Sequence, residues 1–124
     1  MKILMAGAQG IVQDGLRLVL KSTWPECKMF ETAKIEKKSN LIAKWGIDLA
    51  ILEMNMPGNE NMEDLVRSIT GRTKVIVLAP YDKNSHRTES LQNAGVSEVI
   101  FKDTTIEEMQ MVLLSMFALG SSLF

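Results

Sequence analysis

The sequence predicts a three-layer α/β domain built on a five-stranded parallel sheet. Two observations carry this. First, five short runs of continuously apolar residues recur along the 124-residue chain, separated by segments of helical periodicity. Second, these runs do not alternate apolar with polar residues. Each is therefore expected to be buried on both faces, as in a parallel sheet covered by helices. Five strand–helix units at this length fit the flavodoxin-like doubly wound arrangement, strand order 2-1-3-4-5, with right-handed crossovers.

The elements follow in order. Ile3-Leu-Met-Ala6 is the first strand, ended by Gly7 and Gly10. From Ile11 to Lys21 a helix places Val12, Leu16, Val19 and Leu20 on one face, with Gln13, Asp14, Arg17 and Lys21 off it. Trp24-Pro25 breaks the chain. Cys27 to Phe30 is the second strand. Leu41, Ile42 and Trp45 mark the end of a second helix that Gly46 stops. Leu49 to Leu52 is the third strand, closed by Asn55-Met-Pro-Gly58, and Met62 to Ile69 is the third helix, stopped by Gly71. Lys74 to Leu78, rich in β-branched residues, is the fourth strand. Ser85 to Ala94 is a polar helix ending at Gly95, and Val99 to Phe101 is the fifth strand. Thr105 caps the last helix, with Glu107 and Glu108 at its positive end.

Composition excludes several classes. The chain reads as one domain over 1–124, with a net charge of −1 and 46% hydrophobic residues. That argues against disorder and against direct nucleic-acid contact. The lone Cys27 excludes an internal disulfide and a Cys-rich zinc site, and reads as a small core residue. The most apolar stretch, Met109 to Leu119, falls short of the about 18 residues a membrane span needs. Gln9, Gln13, Asp14 and Arg17 follow the first apolar run too closely for a signal peptide, so a cytoplasmic location is expected. Residues 1–45 hold 8 basic and 4 acidic side chains, and the remainder 6 and 11. Lys34, Lys37, Lys38 and Lys44 form either a solvated face or a docking patch for an acidic partner.

In this arrangement a site lies at the carboxyl ends of strands 1, 3 and 4. There the sequence meets a family. Asp48-Leu-Ala-Ile-Leu-Glu-Met-Asn-Met-Pro-Gly58 resembles the phosphorylation-site strand of two-component receiver domains. Gly95-Val-Ser-Glu-Val-Ile-Phe-Lys-Asp-Thr104 resembles their fifth strand. Gly15-Leu-Arg-Leu-Val-Leu20 is similar to the first helix of receivers in LuxR-type helix-turn-helix regulators. The resemblance covers essentially the whole chain. It implies a response-regulator domain, not an enzyme, controlling transcription through an attached or associated DNA-binding module.

Receiver chemistry uses an acidic pair that holds Mg²⁺, an acceptor aspartate, a hydroxyl and a lysine. By the resemblance the acidic pair falls on Gly7 and Ala8, the acceptor on Glu53 and the hydroxyl on Ala79; only Lys102 matches. Glu53 and Lys102 sum to zero charge, whereas three carboxylates and a lysine sum to −2 and call for a divalent cation. The expectation is a degenerate receiver with no metal, no cofactor and no phosphoryl acceptance. Restoring the chemistry would need Gly7→Asp and Ala8→Asp beside Glu53→Asp. Glu53 has two readings: a relic paired with Lys102, or an imitation of an aspartyl phosphate. Ala79 argues against the second, having no hydroxyl to report it. Val99 stands nearest the place of the family's switch aromatic, while Tyr81 and Phe101 read as packing.

An alternative is a small nucleotide- or dinucleotide-binding domain. Gly7 and Gly10 follow a strand and open a helix, and Glu31 stands where an acidic residue would hold a ribose. Gln13 occupies the next glycine position of that motif. His86 reads as a surface residue, Pro80 as shaping a loop, and most methionines as core. In the last helix Met109, Val112, Leu113, Met116 and Phe117 form a buried stripe, leaving Met111, Leu114, Ala118 and Leu119 outside it. Met111, Leu114 and Leu119 are therefore candidates for a contact with a partner or a second copy. The ending Ala118-Leu-Gly-Ser-Ser-Leu-Phe124 resembles the segment that leads from such receivers into a DNA-binding domain, expected beyond Phe124.

Overall fold

The computed structural model describes residues 1–7, 10–32, 42, 44–54, 62–80, 85–101 and 103–122, the last helix in backbone alone beyond Phe117. The elements are β1 (Lys2–Ala6), α1 (Ile11–Thr23), β2 (Lys28–Thr32), β3 (Leu49–Glu53), α2 (Met62–Ile69), β4 (Lys74–Ala79), α3 (Ser85–Ala94), β5 (Glu98–Phe101) and α4 (Ile106–Ser122). All strand pairs are parallel, in the order β2-β1-β3-β4-β5. This is the expected flavodoxin-like sheet.

The continuous apolar runs have a simple cause. Successive strand residues point to opposite faces, and both faces are covered. Leu4, Ala6, Ala50, Leu52, Val75 and Val77 pack on one side with Met62, Val66 and Ile69 of α2 and Leu91 of α3. Ile3, Met5, Leu49, Ile51, Ile76 and Leu78 pack on the other with Leu16, Val19 and Leu20 of α1 and Met109 and Leu113 of α4. Trp24, capping α1, meets Phe117 of α4 edge to face, with ring centroids 5.2 Å apart. Cys27 is buried in this layer.

Several boundaries differ from the sequence pattern: β1 begins at Lys2, α1 runs on to Thr23, β3 takes in Glu53 and β4 takes in Ala79. β2 runs from Lys28 to Thr32, not from Cys27 to Phe30. As an edge strand half open to solvent it accepts Glu31 and Thr32, and its register with β1 is fixed from Lys2↔Lys28 to Ala6↔Thr32. β5 begins one residue early, at Glu98, paired with Ile76. α2 ends at Ile69 as expected, and the bonds from Thr70 N–H to Val66 O and from Thr73 N–H to Ile69 O close the turn that contains Gly71. Ahead of β3, Ile42, Lys44 and Trp45 are helical and lead to Gly46 at φ +66°, the left-handed stop expected there. Trp45 rests against Phe30, with centroids 5.1 Å apart. Among the described residues no helix is long and apolar enough to cross a membrane.

Thr105 caps the N-terminus of α4. Its Oγ1 accepts the Glu108 N–H at 3.2 Å and donates to Glu108 Oε1 at 2.9 Å.

Candidate functional site

The register brings the ends of β1, β3 and β4 together. Ala6 pairs with Leu52, and Glu53 with Leu78. Gly7 follows β1, Glu53 ends β3, and the fully buried Ala79 ends β4 beside Phe101. Met54 N–H donates to Leu78 O at 2.9 Å and Gly7 N–H to Thr32 O at 2.9 Å, so both chain exits are fixed by backbone bonds. Gly7, Glu53 and Ala79 therefore stand at the ends of the neighbouring strands β1, β3 and β4. Ala8 and Lys102 lie outside the described residues, as do Lys34, Lys37, Lys38, Tyr81 and Asp82. Lys44 and Asp103 are exposed, as is His86.

Gly7 is closely packed against Glu53. Its φ is +147°, and a Cβ there would stand 2.5 Å from Glu53 Oε2 and 2.7 Å from Glu53 Cβ. A side chain at this position would meet both the strained backbone and the glutamate. The space in which a carboxylate at residue 7 would sit holds the carboxylate of Glu53.

Gln13 corrects the sequence reading. Set off the buried face of α1 by its polarity, it is 5% exposed, and its Nε2 donates to Glu53 Oε2 at 3.1 Å. The signal was present: Gln13 precedes Leu16 by three positions and Leu20 by seven, which places it on the core stripe of a helix. α1 begins at Gly10, whose extended backbone (φ −175°) turns the chain into the helix without a side-chain cap.

These contacts weigh against the nucleotide-binding alternative. Gln13 turns into the cleft at the helix start. Glu31, the candidate ribose ligand, receives Arg17 at both oxygens, Nη2–Oε1 2.5 Å and Nε–Oε2 3.2 Å. Arg17 also donates to Asp14 Oδ1 at 2.8 Å. These carboxylates, Glu31 foremost, raise the Arg17 pKa above its ordinary value. Among the described residues, no three His, Cys, Asp or Glu side chains gather closely enough to hold a metal ion.

The interface candidates sit on α4. Met111 is 70% exposed and Leu114 48%, while Met109 and Leu113 are buried. The side chain of Leu119 lies outside the described residues. Two more exposed apolar residues, which the sequence pattern did not single out, are Ile11 and Leu18 of α1, 90% and 69% exposed and two turns apart on one face of the helix.

No protein-family model matches the sequence, and no curated protein matches it. Solved structures match its fold. The isolated receiver domain of RcsB from Salmonella enterica serovar Typhimurium, determined with the phosphomimetic BeF₃⁻, superimposes with a TM-score of 0.78 at 17% identity, covering 95% of this chain and 88% of that one. A LuxR-family two-component response regulator from Aurantimonas sp. SI85-9A1 gives 0.74 at 16% identity, covering 94% and 84%. A LuxR-family DNA-binding response regulator from Staphylococcus aureus gives 0.72 at 18% identity, covering 92% and 96%. The chain has the flavodoxin-like fold that receiver domains have.

Proposed function

We propose that this chain is a receiver-like regulatory domain that does not undergo Mg²⁺-dependent phosphoryl transfer. It acts through protein contacts and influences transcription through a DNA-binding module attached to it or associated with it. The observation that carries the first part is the approach of Glu53 to Gly7. Phosphoryl transfer to a carboxylate needs a divalent cation, because an anionic nucleophile must meet an anionic donor. At the first position of the acidic pair Gly7 carries no side chain, and a Cβ there would stand 2.5 Å from Glu53 Oε2. Ala79 supplies no hydroxyl to bond a phosphoryl oxygen. The fold likeness to LuxR-family response regulators supports the link to a DNA-binding module.

The proposed contact surface is the outer side of α4, with the exposed Met111 and Leu114. Exposed apolar side chains on one helix face mark an interaction face, and a symmetric dimer is the commonest closed solution.

The test is incubation with acetyl phosphate and Mg²⁺ followed by intact mass. No phosphoryl group is gained, and Glu53→Asp alone gains none either. A phosphorylated Glu53 sinks the proposal. Restoration through Gly7→Asp, Ala8→Asp and Glu53→Asp together is expected to destabilise the domain as well, because the Cβ at residue 53 remains 2.7 Å from the new one.

A further inference from the structure

We infer that Gln13 is a positioning residue that stores the Glu53 carboxylate inside the strand-end cleft, so that the chain carries its own anion there. The inference rests on the reading of the chain as a receiver-like domain without phosphoryl transfer, and goes beyond it by naming what holds the site filled.

Among the described residues only two polar side chains are buried below a tenth exposure, Gln13 and Thr73. Thr73 is accounted for by its bond to Ile47 O at 2.9 Å, which ties a turn to the loop before β3. Gln13 instead bonds a side chain at the strand ends. A buried carboxamide is costly unless it is bonded, and its Nε2 spends a donor on Glu53. The donor is neutral, so it orients the carboxylate without cancelling its charge, unlike a lysine or a metal.

Three other features fit the same purpose. Gly7 has no Cβ, and Glu53 Oε2 occupies that volume. Gly10 has none either; one there would stand 3.3 Å from Gln13 Oε1, tighter than ordinary contact. The length of Glu53 matters too. An aspartate would withdraw the carboxylate by one methylene, more than a bond of 3.1 Å can absorb. The two glycines, the glutamine and the longer acid form one consistent set, and together they join the first turn of α1 to the end of β3.

The test is a double-mutant cycle in urea with Gln13→Leu and Glu53→Leu. Each single change should raise the unfolding constant on the order of tenfold or more, and the double variant should cost less than the sum. Additive effects overturn the inference. A second measurement uses Glu53→Ala, which vacates the carboxylate's place. Sodium acetate should raise its urea midpoint beyond the effect of equal sodium chloride, and should not do so for Glu53→Ala with Gln13→Leu. Equal responses of the two overturn it. Should these variants fail to fold, the unaltered protein decides: the Gln13 Nε2 protons should exchange with solvent far more slowly than those of the exposed Gln92, and equal rates overturn the inference. Phosphoryl gain from acetyl phosphate would defeat the proposed function and leave the stored carboxylate standing. An additive cycle would do the reverse.

Discussion

The two faces of the sheet are built alike inside and finished differently outside. Under α2 and α3, as under α1 and α4, strand residues meet an apolar helix stripe. The outer surfaces diverge. Charge pairs stand on both, Arg17–Asp14 at 2.8 Å on α1 and, on α2 and α3, Arg67–Asp64 at 3.0 Å and Arg87–Glu63 at 3.3 Å, with Ser90 donating to Glu63 at 2.9 Å. On α1 and α4, Ile11, Leu18, Ile106, Met111 and Leu114 stand in solvent. Among the described residues no exposed large hydrophobic side chain lies on α2 or α3. The outer faces of α2 and α3 suit water, and the exposed apolar residues of α1 and α4 include Met111 and Leu114, which the proposed contact would use.

The strongest test of this contrast compares neighbours on one helix. Leu113→Ala, at a site fully closed to solvent, is expected to cost about 2–5 kcal/mol in urea unfolding, whereas Leu114→Ala should stay within about 0.5 kcal/mol. Similar losses would break the inner–outer assignment of α4. Next, Leu114→Lys should convert a dimer into a folded monomer by sedimentation; an unaltered protein that is monomeric at high concentration removes the self-contact. A variant that unfolds instead would assign Leu114 to the core. Third, a Lys102–Glu53 pair, as the resemblance implies it, predicts that Lys102→Met lowers the urea midpoint more than Lys37→Met does. Equal effects would leave that pair without weight. The smallest effect belongs to the exposed Arg17–Glu31 pair. Glu31→Gln should lower stability slightly, and the loss should shrink as salt is added. A raised arginine pKa contributes stability below the ordinary arginine value and loses it only as pH climbs through the folded value. This pair should therefore give no pH dependence across the neutral range.

Much of this fold was legible because hydropathy and turn chemistry agreed. α2 and α3 match their expected ends at Met62–Ile69 and Ser85–Ala94. The Thr105 cap and the buried stripe of α4 were readable from spacing alone. β2 was read short because an edge strand tolerates Glu31 and Thr32, which apolar-run reading discards. The site was half legible. Glu53, Gly7 and Ala79 could be placed by resemblance. What Gly7 does could not, because a missing ligand and a required close approach look the same in sequence. Gln13 was misjudged by residue type, since position on the helix outranked polarity once Glu53 offered a partner.

The place of β1 sets an order of events in time. Its residues bond β2 on one side and β3 on the other, with Ile3 opposite both Met29 and Leu49. The strand made early in synthesis is thus interior to the finished sheet. One of its ladders can close when β2 appears, but the other stays open until β3 has been made. Until then an apolar ribbon with free backbone groups faces outward. Such long-range parallel pairing is slow to form and exposed to misassociation. Substitutions that loosen β1 should therefore reduce the yield of folded protein during synthesis more than they reduce the stability of what has folded.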